Sequence, residues 1–436
     1  MTEKQLAGVR PRLERFLGGL VESMGRSERR QWAQVYVQGL LLDGERKSVQ
    51  PIAARIEGAD EQALNQFLNQ SPWEVAAIQH QLADRLAAVE HEPVFWMLDE
   101  TSFPKAGNHS VGVARQYCGA LGKIANCQVA VSLHWRQALM SCPVSWRLYL
   151  PKAWCEDAKR RNQARIPTTV SYQTKTELAL ELVEQALAWN LPCGTVLADS
   201  LYGNDFSFRA ALREKQLGYA VAVAASTAVW TDDPNAVPVP ATAPRGRPRQ
   251  HPRLEDLPAT APLEALARRL PNKAWRTVTW RAGTKGPQRS RFALVEVWAA
   301  HGWQAHAHWP RVRESLLVEW PQAATGPSDY WMLWRAPHDE PLPLLRAVRL
   351  AKGRWPIEQD YRELKEELGL DHFEGRSWPG WHHHVTLVTL AFAFLRTEQA
   401  RAKKNFTCEL AADPSPSPGS PHSYDRPVPV VPDAVR

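Results

Sequence analysis

Two short apolar runs in this chain end in an aspartate, and no other feature narrows the fold as much. Residues 94–98, Val-Phe-Trp-Met-Leu, lead into Asp99, and residues 194–198, Gly-Thr-Val-Leu-Ala, lead into Asp199. Runs of this length and character suit strands buried on both faces. An ionised carboxylate at the edge of such a core needs a base, a hydrogen-bond network or a metal ion as its partner. Strand ends beside loops are also where sites are built. A single aspartate of this kind reads as a turn or helix cap; two in one sheet point towards a site.

The surrounding pattern predicts an α/β domain, a mixed sheet with flanking helices. Stretches 127–135 and 144–150 read as strands, 176–189 and 205–216 as helices, and 219–225 as a further strand. Residues 1–90 read as helical, with Leu13, Phe16, Leu17, Leu20 and Val21 at helical spacing, then Trp32, Val35, Tyr36, Leu40 and Leu41, and shorter pieces at 63–67 and 75–89. Such a module is either a DNA-binding domain or a packing cap.

The first part of this α/β domain is then 91–225, and residues 226–328 interrupt it. A proline-rich stretch carries the basic run 245–253, which is either a groove-binding arm or a solvated loop. Strand-like runs follow at 274–281, 292–298 and 315–320, and a fourth at 330–335 rejoins the main fold. This reads as a β-rich insertion, separable and packed beside the cleft. Residues 329–400 resume the domain with helices at 341–352, 357–368 and 381–396. Residues 401–436, rich in Pro and Ser, read as a disordered tail.

A chain of 436 residues suits two or three domains. Its 53 Lys and Arg against 46 Asp and Glu leave a net charge of +7, which fits a polyanion partner or simply a basic enzyme. The six cysteines form no CxxC pair, so a zinc ribbon and a redox motif are not indicated, and they read as reduced thiols. The first residues lack the apolar core of a signal peptide, and no apolar run reaches the roughly 18 residues that span a membrane. The expectation is a cytoplasmic protein. Of the 19 tryptophans, eight lie between Trp275 and Trp334 in a polar stretch.

The third chemical feature is the helix at 357–368, preceded by Arg354-Trp-Pro. Pro356 suits a first turn, where its missing N–H is not needed. Ile357, Tyr361, Leu364 and Leu368 form the apolar stripe, and Glu358, Arg362 and Lys365 fall on an adjacent one. Glu358 is thus placed at the rim of the core among cations. The plainer reading of that pattern is a solvated face with i,i+4 ion pairs.

Together these segments resemble the DDE-type transposases of bacterial insertion sequences, in the branch with a β-rich insertion before the last acid. The family's third motif runs Tyr, two residues, Arg, three residues, Glu, six residues, Lys. Here Arg354, Glu358 and Lys365 match it, and Ala351 stands at the Tyr position as a departure. Trp355-Pro-Ile-Glu358, Leu368-Gly-Leu-Asp-His372 and Trp381-His-His-His384 are similar too. So are Leu98-Asp99-Glu-Thr-Ser102 with Lys105, the stretch from Ser110 to Tyr117, and Leu197-Ala-Asp199-Ser-Leu-Tyr-Gly203. The resemblance covers about residues 30–396.

It implies an RNase-H-like fold in which Asp99, Asp199 and Glu358 hold two magnesium ions, with manganese able to substitute. Asp99 would bridge the ions, with Asp199 and Glu358 each holding one. Arg354 and Lys365 would contact phosphates near the scissile bond, or simply pair with Glu358 and Glu366. Arg362, Lys105, Arg115 and Lys123 would add DNA contacts, the last three from a glycine-rich loop at 105–123 that also reads as a hairpin. One insertion indole, among Trp275, Trp280, Trp298, Trp303 and Trp309, would stack on a flipped base.

The implied activity is cleavage of terminal inverted repeats and strand transfer of 3′-OH ends, by a homodimer on DNA in the bacterial nucleoid. The alternatives are a catalytically inactive DNA-binding descendant and, further off, a hydrolase on a related fold. Among neighbouring acids, Asp205 reads as a helix N-terminal residue, and Glu363, about 500° around the helix from Glu358, faces elsewhere. Glu100 and Asp360 remain competitors. His382 to His384 diverge by about 100° per residue, so they read as packing rather than a metal site.

Overall fold

A computed structural model describes residues 1–88, 94–137, 140–238, 252, 254–283, 286–300, 310–335 and 342–412. Five helices open the chain: α1 (Glu3–Leu20), α2 (Ser27–Leu41), α3 (Val49–Arg55), α4 (Glu61–Asn69) and α5 (Val75–Ala87). Thr2 and Gln5 start α1 with a reciprocal capping box, and Leu6, Leu13, Phe16, Leu17 and Leu20 form its buried stripe.

The α/β part then runs β1 (Val94–Pro104), β2 (Ala114–Cys118), β3 (Lys123–Gln137), β4 (Met140–Leu148), α6 (Lys152–Glu156), α7 (Ala158–Ala164), α8 (Lys175–Ala188), β5 (Thr195–Ala198), α9 (Ser200–Gly203), α10 (Phe206–Glu214) and β6 (Tyr219–Val223). β1 lies antiparallel to β3 and parallel to β5, which is parallel to β6, while β4 pairs with the far edge of β3. The order β4-β3-β1-β5-β6, with β3 alone reversed against its neighbours β1 and β4, gives the mixed α/β, RNase-H-like sheet expected. Close packing of α9 on that sheet depends on Gly203, where a Cβ would meet the Ala222 carbonyl at 1.8 Å.

The inserted segment does not form a unit of its own. It supplies β7 (Ala228–Trp230), β8 (Ala261–Pro262), α11 (Leu263–Arg269), β9 (Arg276–Gly283), β10 (Gly286–Ala299) and β11 (Arg313–Trp320), followed by β12 (Asp329–Trp334). β12 pairs antiparallel with β6, β11 with β12 and β10 with β11, so one twelve-stranded sheet runs through both parts. The edge of β6 would otherwise expose unpaired backbone groups, and β12 covers it. The expectation of a separable unit is corrected accordingly. The basic run 245–253, Pro252 apart, lies outside the described residues.

α12 (Leu344–Ala351), α13 (Pro356–Glu366) and α14 (Trp378–Ala412) close the fold. α14 runs sixteen residues past the expected end at 396, and 413–436 lie outside the described residues. The N-terminal helices wrap α14. Phe16 meets Phe394 with ring centres 5.7 Å apart, Tyr36 Oη lies 2.9 Å from His384 Nδ1, and His383 stacks on Trp73 at 3.8 Å. His383 and His384 are therefore packing residues with backbone partners, Leu68 and Gly369 among them. Among the described residues no helix is long and apolar enough to cross a membrane.

Candidate active site

Strand register brings the two aspartates together. Leu98 lies opposite Ala198 in the parallel pair β1–β5, so Asp99 and Asp199 leave adjacent strands side by side. Asp199 also caps α9, accepting a bond from Leu201 N at 2.9 Å. The cap reading and the site reading hold together here. Asp99 accepts from Glu100 N at 2.9 Å and is nearly buried. Burial drives its carboxyl up to about 7; Arg354 opposes that rise and Asp199 adds to it.

Arg354 joins the third acid to the pair. Its Nη1 lies 2.5 Å from Asp99 Oδ2 and its Nη2 2.9 Å from Glu358 Oε1. A planar guanidinium of fixed width therefore keeps those two carboxylates within about 8 Å of each other. Burial would lower the Arg354 pKa, but Asp99, Asp199 and Glu358 outweigh that effect and raise it. Glu358 itself is open to solvent, with a side chain 55 % exposed against 12 % for Asp99. The oxygen donors suit a hard divalent cation. Among the described residues no three His, Cys, Asp or Glu are gathered tightly enough to hold one ion. The guanidinium stands between Asp99 and Glu358.

α13 is held in place by a buried polar network. Asp360, two residues on from Glu358, points about 200° away from it and into the core. There it meets His134 Nδ1 at 3.0 Å, Ser141 Oγ, and Arg396 Nη2 at 2.9 Å. Burial alone would raise the Asp360 carboxyl, but these partners hold it below the usual range, while burial lowers His134. A neutral His134 donating to an ionised Asp360 satisfies both. Tyr361 Oη sits 2.6 Å from Ser132 Oγ, and Ser132 is the strand partner of Asp99. Tyr361→Phe is expected to destabilise the protein by about 1–2 kcal/mol, read from urea unfolding midpoints, because a buried hydroxyl loses its partner. An unchanged midpoint would show that this contact does not anchor the helix.

The competing acids are accounted for. Glu100 points to the opposite face of β1, bonding Lys175 Nζ at 2.8 Å and Tyr202 Oη at 3.1 Å. Asp205 caps α10, and Glu363 pairs with Arg396 at 3.1 Å. The network through Asp360 had been missed, since an acid inside an amphipathic helix reads as surface. A signal was present in β3, where Gln128, Ser132 and His134 interrupt an apolar run at even positions only.

The basic residues divide into groups. Lys365 Nζ donates to Ser102 O at 2.9 Å, and Lys105 Nζ to Phe373 O at 2.7 Å. Burial lowers both, Lys105 to about 8. Arg362 is exposed one turn after Glu358, and Arg115 and Lys123 are exposed on the β2–β3 hairpin, away from the acids. Of the insertion tryptophans, Trp275 is buried against Trp320, while Trp280 and Trp298 are half-buried. Trp280 lies under Lys352 Nζ at 5.4 Å, and Trp303 and Trp309 lie outside the described residues.

The model of the family described as DDE superfamily endonuclease matches residues 19–287. The chain belongs to this DDE endonuclease family. The matched range holds Asp99 and Asp199 and ends before Glu358. Nucleases of the DDE superfamily generally use divalent metal ions. The chain is also 33 % identical over 188 residues to a probable transposase for insertion sequence element IS701 of Microchaete diplosiphon, a match covering 42 % of this chain and 46 % of that relative. It thus spans less than half the length of the curated relative. The cryo-EM structure of a piggyBac transposase synaptic complex with hairpin DNA aligns over 91 % of this chain and 78 % of that one, at 9 % identity and a TM-score of 0.37.

Proposed function

We propose that the chain cuts the terminal inverted repeats of a mobile element and transfers the resulting 3′-OH ends to target DNA, with Asp99, Asp199 and Glu358 as its catalytic carboxylates. One observation carries this reading: a single guanidinium, that of Arg354, bridges Asp99 and Glu358, and Asp99 leaves its strand beside Asp199. Like charges gathered at the mouth of a core are costly unless a cation is meant to join them. Magnesium, or manganese in its place, would be held by those three residues and would supply the positive charge that phosphodiester attack requires. Arg354 would leave the carboxylates for a phosphate, which its planar fork fits in two-point fashion. The network through Asp360 would keep Glu358 facing the aspartates throughout.

Lys365, Arg362, Lys105, Arg115 and Lys123 are assigned to DNA, the N-terminal helices to end recognition, and a homodimer to the complex with DNA. The direct test is incubation of the full chain with a labelled duplex of the element's end, with and without magnesium. Nicking at the end followed by joining to a second duplex is expected; binding without nicking in any metal would instead favour an inactive DNA-binding descendant. Arg354→Ala and Lys365→Ala are expected to slow cleavage and to flatten the salt dependence of binding by about one unit of slope for each lost phosphate contact. Identical salt slopes in the variants and the parent would remove both residues from the DNA path.

A further inference from the structure

The β2–β3 hairpin carries an exposed apolar face that packing within the chain does not explain. Tyr117 is 63 % exposed, Ile124 61 % and Leu121 48 %, three of the eight exposed large hydrophobics among the described residues. The hairpin is anchored on its other face. Ala120 N donates to Ser102 Oγ at 2.9 Å, Gln116 Nε2 to Cys127 O at 3.0 Å, and Cys118, Cys127 and Val129 form a small buried cluster. Asn126 ties its base to the carbonyls of Lys105 and Gly107. An apolar patch on a braced platform is a contact surface.

Strand register says where that surface faces. Asp99 pairs with Ser132, and Tyr117 pairs with Ile124. Paired residues share a face and alternate along the strand, so Ile124, Tyr117 and Arg115 lie on the sheet face that bears Asp99. Eight residues of β3 separate Ile124 from Ser132, at most about 27 Å of strand. That corresponds to about eight steps of duplex at 3.4 Å each. Charge names the occupant. Between Glu100 and Glu156 the chain has no acidic residue, and Arg115 stands exposed on this face, while Lys105 and Arg136 donate to backbone carbonyls and Arg147 and Lys152 pair with Glu181 and Glu156. A polyanion fits this face.

We propose that Tyr117 and Ile124 form an apolar wedge that enters duplex DNA at a base step up to about eight base pairs from the scissile phosphate, with Arg115 on a flanking phosphate. This rests on the reading of the chain as an end-cleaving transposase. The wedge unstacks one step and the Arg115 guanidinium holds the backbone beside it. The hairpin would thereby set how far the duplex extends along the face before it bends.

The test uses full-length protein carrying Asp99→Asn, so that bound DNA stays uncut, and end duplexes with 2-aminopurine scanned over about four to twelve positions from the cleavage point. Fluorescence is expected to rise at one position. Adding Tyr117→Ala should abolish that rise and weaken binding about tenfold, a loss within the range for one stacked base. Tyr117→Phe should preserve both, and Arg115→Ala should weaken binding and lower its salt slope with the bright position unchanged. Duplex bound tightly with no bright position, or a signal indifferent to Tyr117→Ala, overturns the wedge while cleavage by the parent protein still supports the transposase reading. Failure of the chain to bind any duplex overturns both. If Tyr117→Ala instead leaves DNA binding intact but turns a DNA-free dimer into a monomer in sedimentation, the face joins two copies of this chain and the proposal falls.

Discussion

Asp99→Asn, Asp199→Asn and Glu358→Gln proteins are each expected to bind an end duplex as tightly as the parent and to leave it uncut. A neutral amide keeps the shape of the side chain but is a poor ligand for a hard cation. Loss of several kcal/mol of charge stabilisation in the transition state corresponds to a rate lower by about a thousandfold or more. Binding should survive because the surfaces assigned to it, the N-terminal helices and the exposed cations, are untouched. Glu358 is exposed, so Glu358→Gln should leave thermal unfolding unchanged and isolates chemistry from folding. Asp99 is buried and ion-paired with Arg354, so its variant needs a melting curve alongside. Manganese should replace magnesium in the parent protein, and calcium should support binding without cleavage. A Glu358→Gln protein that cuts at the parent rate would refute the triad and turn attention to Glu363 and Glu366.

Glu314→Ala is expected to cost about 3–5 kcal/mol of stability and to unfold the whole chain in a single, earlier transition. Glu314 lies on β11 inside the insertion and is fully buried. Arg209 Nε of α10 is 2.9 Å from its Oε1, and Tyr219 Oη of β6 donates to the same oxygen at 2.6 Å. Arg213 approaches to 3.7 Å. Removing the carboxylate would leave buried guanidinium groups without their counter-charge, which is the costly way to break such a pair.

Burial pushes the Glu314 carboxyl up, but Arg209 and Arg213 outweigh it and hold it below its ordinary value. The sign of the pH dependence follows. The contribution is complete above the unfolded carboxyl range, near pH 4.3, and is lost as pH falls through the lower folded value. The gap between parent and Glu314→Gln in urea unfolding should therefore narrow on acidification. Two separated transitions in the parent protein, one for the insertion alone, would show that the shared sheet does not make one cooperative body.

The two expectations differ in how far the chain alone reveals them. Asp99 and Asp199 were readable because each ends a short apolar run, and local composition forces such runs into buried strands whatever lies around them. Glu358 was readable through Pro356 and the 3.6-residue stripe behind it, which together orient one helix. These are near-neighbour effects, and they also placed most of the helices and strands to within a few residues. The part proposed for each carboxylate in chemistry came from resemblance to the DDE transposases, since each feature taken alone read more readily as a cap or an ion pair.

The tertiary structure decided what depends on partners distant in sequence. Asp360 looked like another surface acid of α13 until His134, Ser141 and Arg396, between 36 and 226 residues away, closed around it. The insertion looked separable because its ends are marked by proline and polar residues. Whether its strands hydrogen-bond to each other alone or also to β6 is a matter of backbone pairing, which side-chain patterns record poorly. The lysines at 105 and 365 were legible as charge, yet only packing turned them onto backbone carbonyls. Periodicity along the chain determines which side of an element is apolar; which element that side meets is set by the other elements, and here that meeting built the site.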